Sequence, residues 1–305
     1  MLAAFLFRRI TQLLLVVWLI VTLLFFTLRL TGDPVASMLG PDAPPQQVEE
    51  TRQHLGLDRS PLVQYLFYVR SAVQLDFGDS FISHEPALET VKARFPSTVK
   101  LTVVSFAIAL AVGMTAGVVS AMRRNSWSGA GIMALMTLLQ GIPGFALGIF
   151  LIMLFSVKLG WLPSFGDDSW KSLVLPALTL AAYLSARCAR LTRSALVEVL
   201  DQDFIRTARS KGLTESKIIA RHALKNALIP VLTVLAIDLG QLLGGAIVIE
   251  SVFAWPGIGR QLILSLQRRD YAVVQAIVIV VALSVVTINI VVDVIYTRLD
   301  PRIRL

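Results

Sequence analysis

Long uncharged stretches alternate with short charged segments along this sequence. A helix needs roughly 20 apolar residues to cross the core of a bilayer, and six stretches reach or approach that length. They lie at about Ile10–Leu28, at about Leu101–Met122, within Gly129–Val157, and at about Ser172–Ala186, Leu228–Ile249 and Ala272–Val292. A transmembrane β-barrel would instead show short segments of alternating hydrophobicity. The pattern therefore predicts an all-α polytopic membrane protein with six transmembrane helices.

The composition agrees with a membrane protein. Of the 305 residues, 55% are hydrophobic and 16% are charged, against roughly 25% charged residues in an average soluble domain. The mean hydropathy is +0.72. The first apolar stretch, at about 19 residues, is longer than the roughly 7 to 15 residues of a signal peptide core. We therefore expect it to be retained as a membrane span.

Arginines are concentrated in the loops and termini on one predicted side of the membrane. They recur before the first stretch and after the second, fourth and sixth, and all of these places fall on one side of a chain that crosses six times. The residues concerned are Arg8, Arg9, Arg123, Arg124, Arg187, Arg190, Arg193, Arg298, Arg302 and Arg304. The positive-inside rule then predicts that both termini are cytoplasmic. The net charge of +8 largely reflects this sidedness, so we do not interpret it as a surface for nucleic acid.

The pattern divides the chain into three parts. Residues 1–28 are the N-terminal cytoplasmic end and the first helix, residues 29–97 an extracytoplasmic segment, and residues 98–305 the core with the other five helices. The middle part is either a small cap over helix ends or a docking surface for an external soluble protein. The single cysteine, Cys188, allows no disulfide within the chain, and the dispersed residues His54, His84 and His222 predict no metal site.

A polar, basic segment at residues 203–230 lies between the fourth and fifth stretches. We expect Asp203 or Thr207 to cap a short helix that Gly212 ends. Thr214 would cap a second helix, and Pro230 would begin the fifth span. A basic helix pair of this kind either rests on anionic lipid headgroups or is presented to a partner protein.

This segment carries a family resemblance. Residues 207–212 (TARSKG) and 221–230 (RHALKNALIP) resemble the cytoplasmic coupling motif of bacterial ABC importer permeases, in the version found in the dipeptide, oligopeptide, nickel and glutathione group. Other motifs similar to that group occur in order along residues 5–304. They are Gly32-Asp33-Pro34, Leu55-Gly56-Leu57-Asp58, Asp76-Phe77-Gly78, Leu159-Gly160-Trp161-Leu162-Pro163, residues 253–260 (FAWPGIGR), Arg269-Asp270-Tyr271 and Asp300-Pro301-Arg302.

The resemblance implies a type I ABC importer permease fold in the bacterial cytoplasmic (inner) membrane. It implies a heterodimer with a homologous second permease subunit, two ABC ATPase subunits that bind ATP and Mg, an extracytoplasmic substrate-binding protein, and contact with membrane lipid. The ATPase-coupling residues would be Asp203, Arg206, Thr207, Ala208, Arg209, Lys211 and Gly212. The chain has no G-x-x-x-x-G-K-[ST] phosphate-binding loop. We therefore expect a transport subunit, not an enzyme, with no cofactor of its own.

The coupling segment departs from the broader importer motif at one place. That motif begins with Glu-Ala-Ala, which falls on Arg206-Thr207-Ala208 in this chain. In a charge pair with an ATPase, Arg206 or Arg209 would therefore be the cation, and the ATPase would supply the carboxylate.

Three polar residues within apolar stretches are candidates for the translocation pathway. Asp238 lies near the middle of the fifth stretch, where an acid costs on the order of 3 kcal/mol. Gln241 follows one helical turn later, and Gln140 lies in the third stretch beside a Gly-Ile-Pro-Gly sequence that permits a kink. These side chains either line a water-filled route or make contacts between helices or with the partner permease. Candidates for an outer gate lie just beyond the fifth stretch: Phe253, Trp255, Pro256 and Gly257.

The sequence leaves the cargo open. The resemblance implies a short peptide, either a dipeptide or an oligopeptide, as the first choice. The same machinery in related systems imports nickel, a metallophore or glutathione, and the binding protein makes most of the selection. Two other classes of protein are alternatives. A membrane enzyme should show a set of catalytic residues near one edge of the membrane, and we find none in the sequence. A channel or structural membrane protein needs no basic helix pair directed at an ATPase.

Overall fold

The computed structural model describes residues 2–30, 35, 39, 43–54 and 58–299. In this part of the chain the regular structure is helical, and one isolated bridge joins Asp79 to Pro86. In chain order the helices are α1 (Leu2–Leu30), α2 (Pro45–His54), α3 (Pro61–Val73), α4 (Ala87–Met122), α5 (Trp127–Gly141), α6 (Gly144–Leu151), α7 (Val174–Leu200), α8 (Asp203–Ser210), α9 (Glu215–Lys217), α10 (Leu224–Val252), α11 (Ile258–Gln267) and α12 (Tyr271–Leu299).

The described residues form two compact units. One unit comprises the chain up to Pro96 together with Gly257–Thr287, and the other comprises Ser97–Pro256 and the chain from Ile288 onward. In the first unit α1 packs against α3, where Phe25 contacts the rings of Tyr65 and Tyr68. The predicted division at residues 28 and 97 stays a prediction.

Helices occupy all six apolar stretches. Four helical segments in the described chain are long and apolar enough to cross a membrane: Ala87–Met122, Trp170–Leu200, Pro230–Val252 and Tyr271–Val292. Helix α1 contains a shorter apolar segment, Thr11–Thr27. Helix α5 and the helix Gly144–Lys158, which is α6 with its π-helical continuation, form a pair bent by 104°. The bend falls at Gly141–Gly144, where the sequence permits a kink.

The fourth span is longer than predicted. The sequence favoured Ser172–Ala186, with Arg187, Arg190 and Arg193 in the following loop, but α7 continues to Leu200. Arginine is a good helix former, so these residues do not end the helix. Pro176 lies in the first turn, where its missing N–H breaks no helical hydrogen bond. The prediction of a loop at these arginines is therefore wrong.

The helix that contains the fifth span begins earlier than predicted, although the apolar span itself starts at Pro230. Pro230 lies inside α10 and does not start it. The helix continues without interruption from α9 through a π-helical segment, Ile218–Ala223, into α10. A proline removes one helical hydrogen bond. Helix α10 packs against α7, and this packing stabilises the helix despite the missing bond.

The segment at residues 29–97 that was predicted to be extracytoplasmic contains more helix than the sequence indicated. Helix α3 was not predicted, although Pro61 stands at its first turn, a favourable position for proline. Helix α4 begins at Ala87, well before the predicted start of the second span at Leu101. The motifs at residues 32–34, 55–57 and 300–302 lie outside the described residues.

Two glycines let α4 approach α7 closely. A Cβ atom added to Gly113 would lie 2.5 Å from the Cβ of Cys188 and 2.6 Å from the carbonyl oxygen of Ser185. A Cβ atom added to Gly117 would lie 2.6 Å from the Cβ of Thr192. Small residues at i and i+4 allow helices to pack backbone to backbone in membranes. This pair therefore serves packing within the chain.

We predict that Gly113→Ala destabilises the protein by about 1–3 kcal/mol, because the added methyl group overpacks the α4–α7 contact. The matched control is Gly131→Ala in α5, where an added Cβ would meet no atom within 4 Å. That variant should be neutral or slightly stabilising, since alanine favours helix over glycine by ~1 kcal/mol. Thermal unfolding of the purified variants measures both effects. Equal melting temperatures for the two variants would contradict this packing.

Candidate functional site

Helix α8 has one apolar face attached to the body of the protein and one charged face exposed to solvent. Ile205 and Ala208 are buried in a cluster with Leu196 of α7 and Ile218 of the π-helical segment. The remaining predicted coupling residues are exposed: Asp203, Arg206, Thr207, Arg209, Lys211 and Gly212. The helix is therefore held by its apolar face and leaves its polar face exposed.

A glycine turn ends α8 as predicted. Gly212 has a φ of +72°, and its N–H donates to the carbonyl of Arg209 at 2.9 Å. The N–H of Leu213 donates to the carbonyl of Ala208 at 3.4 Å. This pair of bonds is the Schellman arrangement, which needs a residue that tolerates the left-handed conformation. An added Cβ at Gly212 would meet no atom within 4 Å, so the constraint there is conformational and not steric.

The predicted N-terminal caps of α8 are wrong. Gln202 occupies the cap position, and Asp203 is already the first helical residue. The hydroxyl of Thr207 donates to the carbonyl of Asp203 one turn back, at 3.1 Å. Thr214 does stand at the cap position of α9, but its side chain makes no capping bond.

The arginines of the coupling segment have acidic partners within the segment. Arg206 Nη1 lies 3.2 Å from Asp203 Oδ1, and Arg209 Nε donates to Glu215 Oε1 at 2.7 Å. The bond from Arg209 lowers the pKa of Glu215, and the same bond raises the pKa of Arg209. Both pairs are exposed, so each contributes little to stability. Because a guanidinium group has five N–H donors, a carboxylate of an ATPase that paired with either arginine would share it with an acid of this chain.

The start of α8 is also held by an ion pair. Arg124, in the turn after α4, donates from Nη1 to both carboxylate oxygens of Asp201, at 3.0 and 3.3 Å. Asp201 caps the end of α7 and precedes α8 by two residues. This contact connects the α4–α5 turn to the junction between α7 and α8.

The candidate gate residues form a buried, hydrogen-bonded turn after α10. Phe253 and Trp255 are buried, and the indole N–H of Trp255 donates to the carbonyl of Ser97 at 3.0 Å. Nearby, the hydroxyl of Thr98 donates to the buried carboxylate of Glu250 at 2.6 Å. Pro256 follows, and Gly257 stands at the cap position of α11. The turn is thus hydrogen-bonded to the N-terminal third of α4, just after Pro96.

A cavity of ≈ 470 Å³ brings the three candidate pathway residues together. Gln140, Asp238 and Gln241 all line it, with apolar residues of α6, α7 and α10 around them. The break between α5 and α6 forms one wall. Gln241 is exposed, so the cavity opens on that side of α10. The sequence placed these residues on one route, and the structure gives them a common cavity; their role in transport stays a prediction.

The carboxylate of Asp238 has a partner that sequence reasoning missed. Arg187 Nη1 lies 2.9 Å from Asp238 Oδ1, joining α7 to α10, with Arg187 33% and Asp238 4% exposed. The angles at this contact do not make it a hydrogen bond, and in the described structure neither carboxylate oxygen of Asp238 accepts one. We treat the contact as an ion pair, since charge attraction depends on distance more than on angle. The sequence did contain a signal for this pair. Arg187 directly follows the fourth apolar stretch, and Asp238 is the one acid within the fifth.

Comparison with known proteins identifies relatives over most of the chain. Residues 113–305 match the family described as binding-protein-dependent transport system inner membrane component, and residues 1–102 match the corresponding N-terminal family. The glutathione transport system permease protein GsiC of Escherichia coli (strain K12) is 45% identical over 284 residues, which are 93% of each chain. The protein of the same name from Shigella flexneri serotype 5b (strain 8401) gives the same values.

Solved structures share the fold at lower identity. An inward-facing form of the MetNI methionine ABC transporter aligns with a TM-score of 0.59 and 21% identity, covering 69% of this chain and 96% of that chain. An amino acid ABC transporter crystallised with histidines aligns with a TM-score of 0.53 and 19% identity, covering 69% and 94%.

We predict that Gly212→Val abolishes transport while the protein still inserts into the membrane. A non-glycine residue in the left-handed conformation costs roughly 1–2 kcal/mol, and a β-branched residue is a poor fit there. The turn after α8 would shift, and with it the exposed face. Gly212→Asn is the control, since asparagine tolerates this conformation. Substrate uptake at matched membrane levels is the measurement; normal uptake by the valine variant would argue against a coupling role.

We also predict strong energetic coupling between Arg187 and Asp238. Arg187→Met or Asp238→Leu alone should destabilise the protein by on the order of 3 kcal/mol, because each leaves an unpaired charge among packed helices. The double variant should lose much less than the sum. Arg124→Met and Asp201→Leu form the control cycle, for which an exposed pair predicts at most about 1 kcal/mol of coupling. Additive losses at Arg187 and Asp238 in chemical unfolding would contradict the pairing.

Proposed function

Because the chain belongs to the family of binding-protein-dependent transport system inner membrane components, we propose that it forms half of the translocation pathway for a glutathione-type short peptide. Its role as a permease subunit of an ABC importer, in a multi-pass inner-membrane protein of the type I fold, follows from the family. The family and fold predicted from the sequence motifs are thereby confirmed. The cargo is the part that we add.

One observation carries the choice of cargo. The similarity to glutathione permeases is high and extends over nearly the whole of both chains. This favours glutathione over the dipeptide or longer oligopeptide that the sequence motifs favoured first. Glutathione is itself a short peptide, so all of these cargoes share amide groups and charged ends. The polar residues of the ≈ 470 Å³ cavity suit any of them.

ATP-driven transport by this chain requires partner subunits. We infer a homologous second permease beside the exposed side of α10, two ATPase subunits beneath α8, and an extracytoplasmic binding protein that delivers the cargo. ATP binding and hydrolysis belong to the ATPase subunits. Both termini would then lie in the cytoplasm, on the side of α8.

Force would reach the cavity through packed helices. Closure of the ATPase pair would move α8, whose buried face is packed against the end of α7 and against the π-helical segment that leads into α10. Helices α7 and α10 form the cavity walls, and α10 ends at the turn of Phe253 and Trp255. A two-state motion of this body, biased by nucleotide, is what transmission between distant sites requires.

We predict that cells of the native host lacking this chain lose energy-dependent uptake of radiolabelled glutathione and that re-expression restores it. Unlabelled dipeptides and Ni²⁺ in excess should not compete with glutathione for the restored uptake. Re-expression of the Gly212→Val variant is the control: it should not restore uptake, which would show that the restored uptake depends on this chain and not on another transporter. If the deletion abolished dipeptide uptake and left glutathione uptake unchanged, the cargo would be a dipeptide and the proposal would be wrong.

A further inference from the structure

The carboxylate of Asp238 has unused binding capacity. Its side chain is 4% exposed, and its one charged contact joins Oδ1 to Arg187 Nη1 at 2.9 Å. Neither Oδ1 nor Oδ2 accepts a hydrogen bond within the described structure. A buried acceptor left without a donor costs free energy, and the cost is larger for a charged group. A native site that keeps such an acceptor is suited to a ligand that supplies the donor.

The surroundings of Asp238 define the donor. Asp238 is the single charged residue among the described residues that line the ≈ 470 Å³ cavity. Most of the other walls are apolar, which strengthens electrostatic attraction inside the cavity. The side chains of Gln140 and Gln241 also line it, and each has one amide oxygen that can accept a hydrogen bond. One carboxylate with two amide oxygens matches the three donors of a primary ammonium group.

We propose that Asp238 binds the ammonium group of the cargo peptide in this cavity, and that Arg187 positions the carboxylate. The proposal rests on the function proposed above and adds a chemical requirement, a free amino group on the peptide. Arg187 compensates the charge of Asp238, which allows the carboxylate to stay ionised among packed helices. It also moderates the attraction, so that the ammonium binds and then leaves, as passage through a transport site requires.

A competing explanation is that the ion pair only holds α7 to α10. Both explanations predict that loss of Asp238 destabilises the protein, so stability cannot distinguish them. They differ in peptide preference. An ammonium site discriminates a free peptide from its N-acetylated form, whereas a purely structural pair does not.

The test measures peptide binding in the complete importer, purified from the native host in lipid nanodiscs without added binding protein. Cys188 is the only cysteine of this chain and is buried, so Val248→Cys, at an exposed apolar position of the cavity lining, adds one accessible thiol to this chain and leaves Gln140 and Gln241 in place. Maleimide labelling of that thiol is followed in the presence of S-methylglutathione or N-acetyl-S-methylglutathione. Because a charge-assisted hydrogen bond is lost on acetylation, the free-amine peptide should protect at about tenfold lower concentration.

The variants assign this preference to Asp238. Asp238→Asn in the same background should make the two peptides protect equally, and Asp238→Glu should keep the preference. Glu89→Gln is the matched control, because Glu89 forms an exposed ion pair with Lys92 at 2.7 Å outside the cavity. Glu89→Gln should also keep the preference. If Asp238→Asn fails to assemble, Arg187→Gln with Asp238→Asn removes both charges and takes its place, with the same expected loss.

The outcomes separate this proposal from the proposed cargo. Equal protection by both peptides before any change at Asp238, or a tenfold preference that survives Asp238→Asn, would overturn the ammonium site and leave the cargo class intact. Absence of protection by either peptide, together with absence of glutathione uptake, would overturn the cargo and the site with it.

Discussion

The burial of α7 is the constraint on which the second unit depends. This helix packs against α5, α6 and α10, and against α4 through Gly113 and Gly117. Leu175, Leu184, Cys188 and Leu196 are almost completely buried along its length. Arg187 is partly buried where α7 meets α10, and an unpaired charge at such a position costs more free energy than the helix propensity of arginine returns. The contact between Arg187 and Asp238 avoids that cost and fixes how α7 and α10 pair.

The buried residues of α7 also link the exposed helix α8 to the cavity through two hydrophobic clusters. The C-terminal part of α7, the apolar face of α8 and the π-helical segment share one hydrophobic cluster. Farther along, α7 and α10 share a second cluster that includes Leu184, Leu235 and Trp255. Protein interiors are close-packed and transmit displacement rather than absorb it. Under the proposed function, a push on α8 would therefore move the cavity walls together.

The sequence predicted the features that depend on local composition. Apolar length gave the positions of six helices, and Gly212 gave the turn after α8, because few other residues adopt its conformation. The polarity of Gln140, Asp238 and Gln241 within apolar stretches marked them as pathway candidates, and they line one cavity, but their role in a pathway stays a prediction. Features set by tertiary packing were missed. The extension of α7 to Leu200, the passage of α10 through Pro230 and the partner of Asp238 all depend on neighbouring helices. Counts of consecutive apolar residues contain no such information.

During transport, we expect α8 and the walls of the cavity to move as one body. Spin labels at the exposed residues Lys211 and Val248, both in the second unit, report the distance between the coupling turn and the far end of α10. Pulsed electron spin resonance on the reconstituted importer, without nucleotide and with ATP trapped, gives that distance in both states. We expect the same distance distribution in the two states, because a rigid body keeps its internal distances. A second distance population that appears only with ATP would show that α10 or its junction with α8 deforms, and would contradict this expectation.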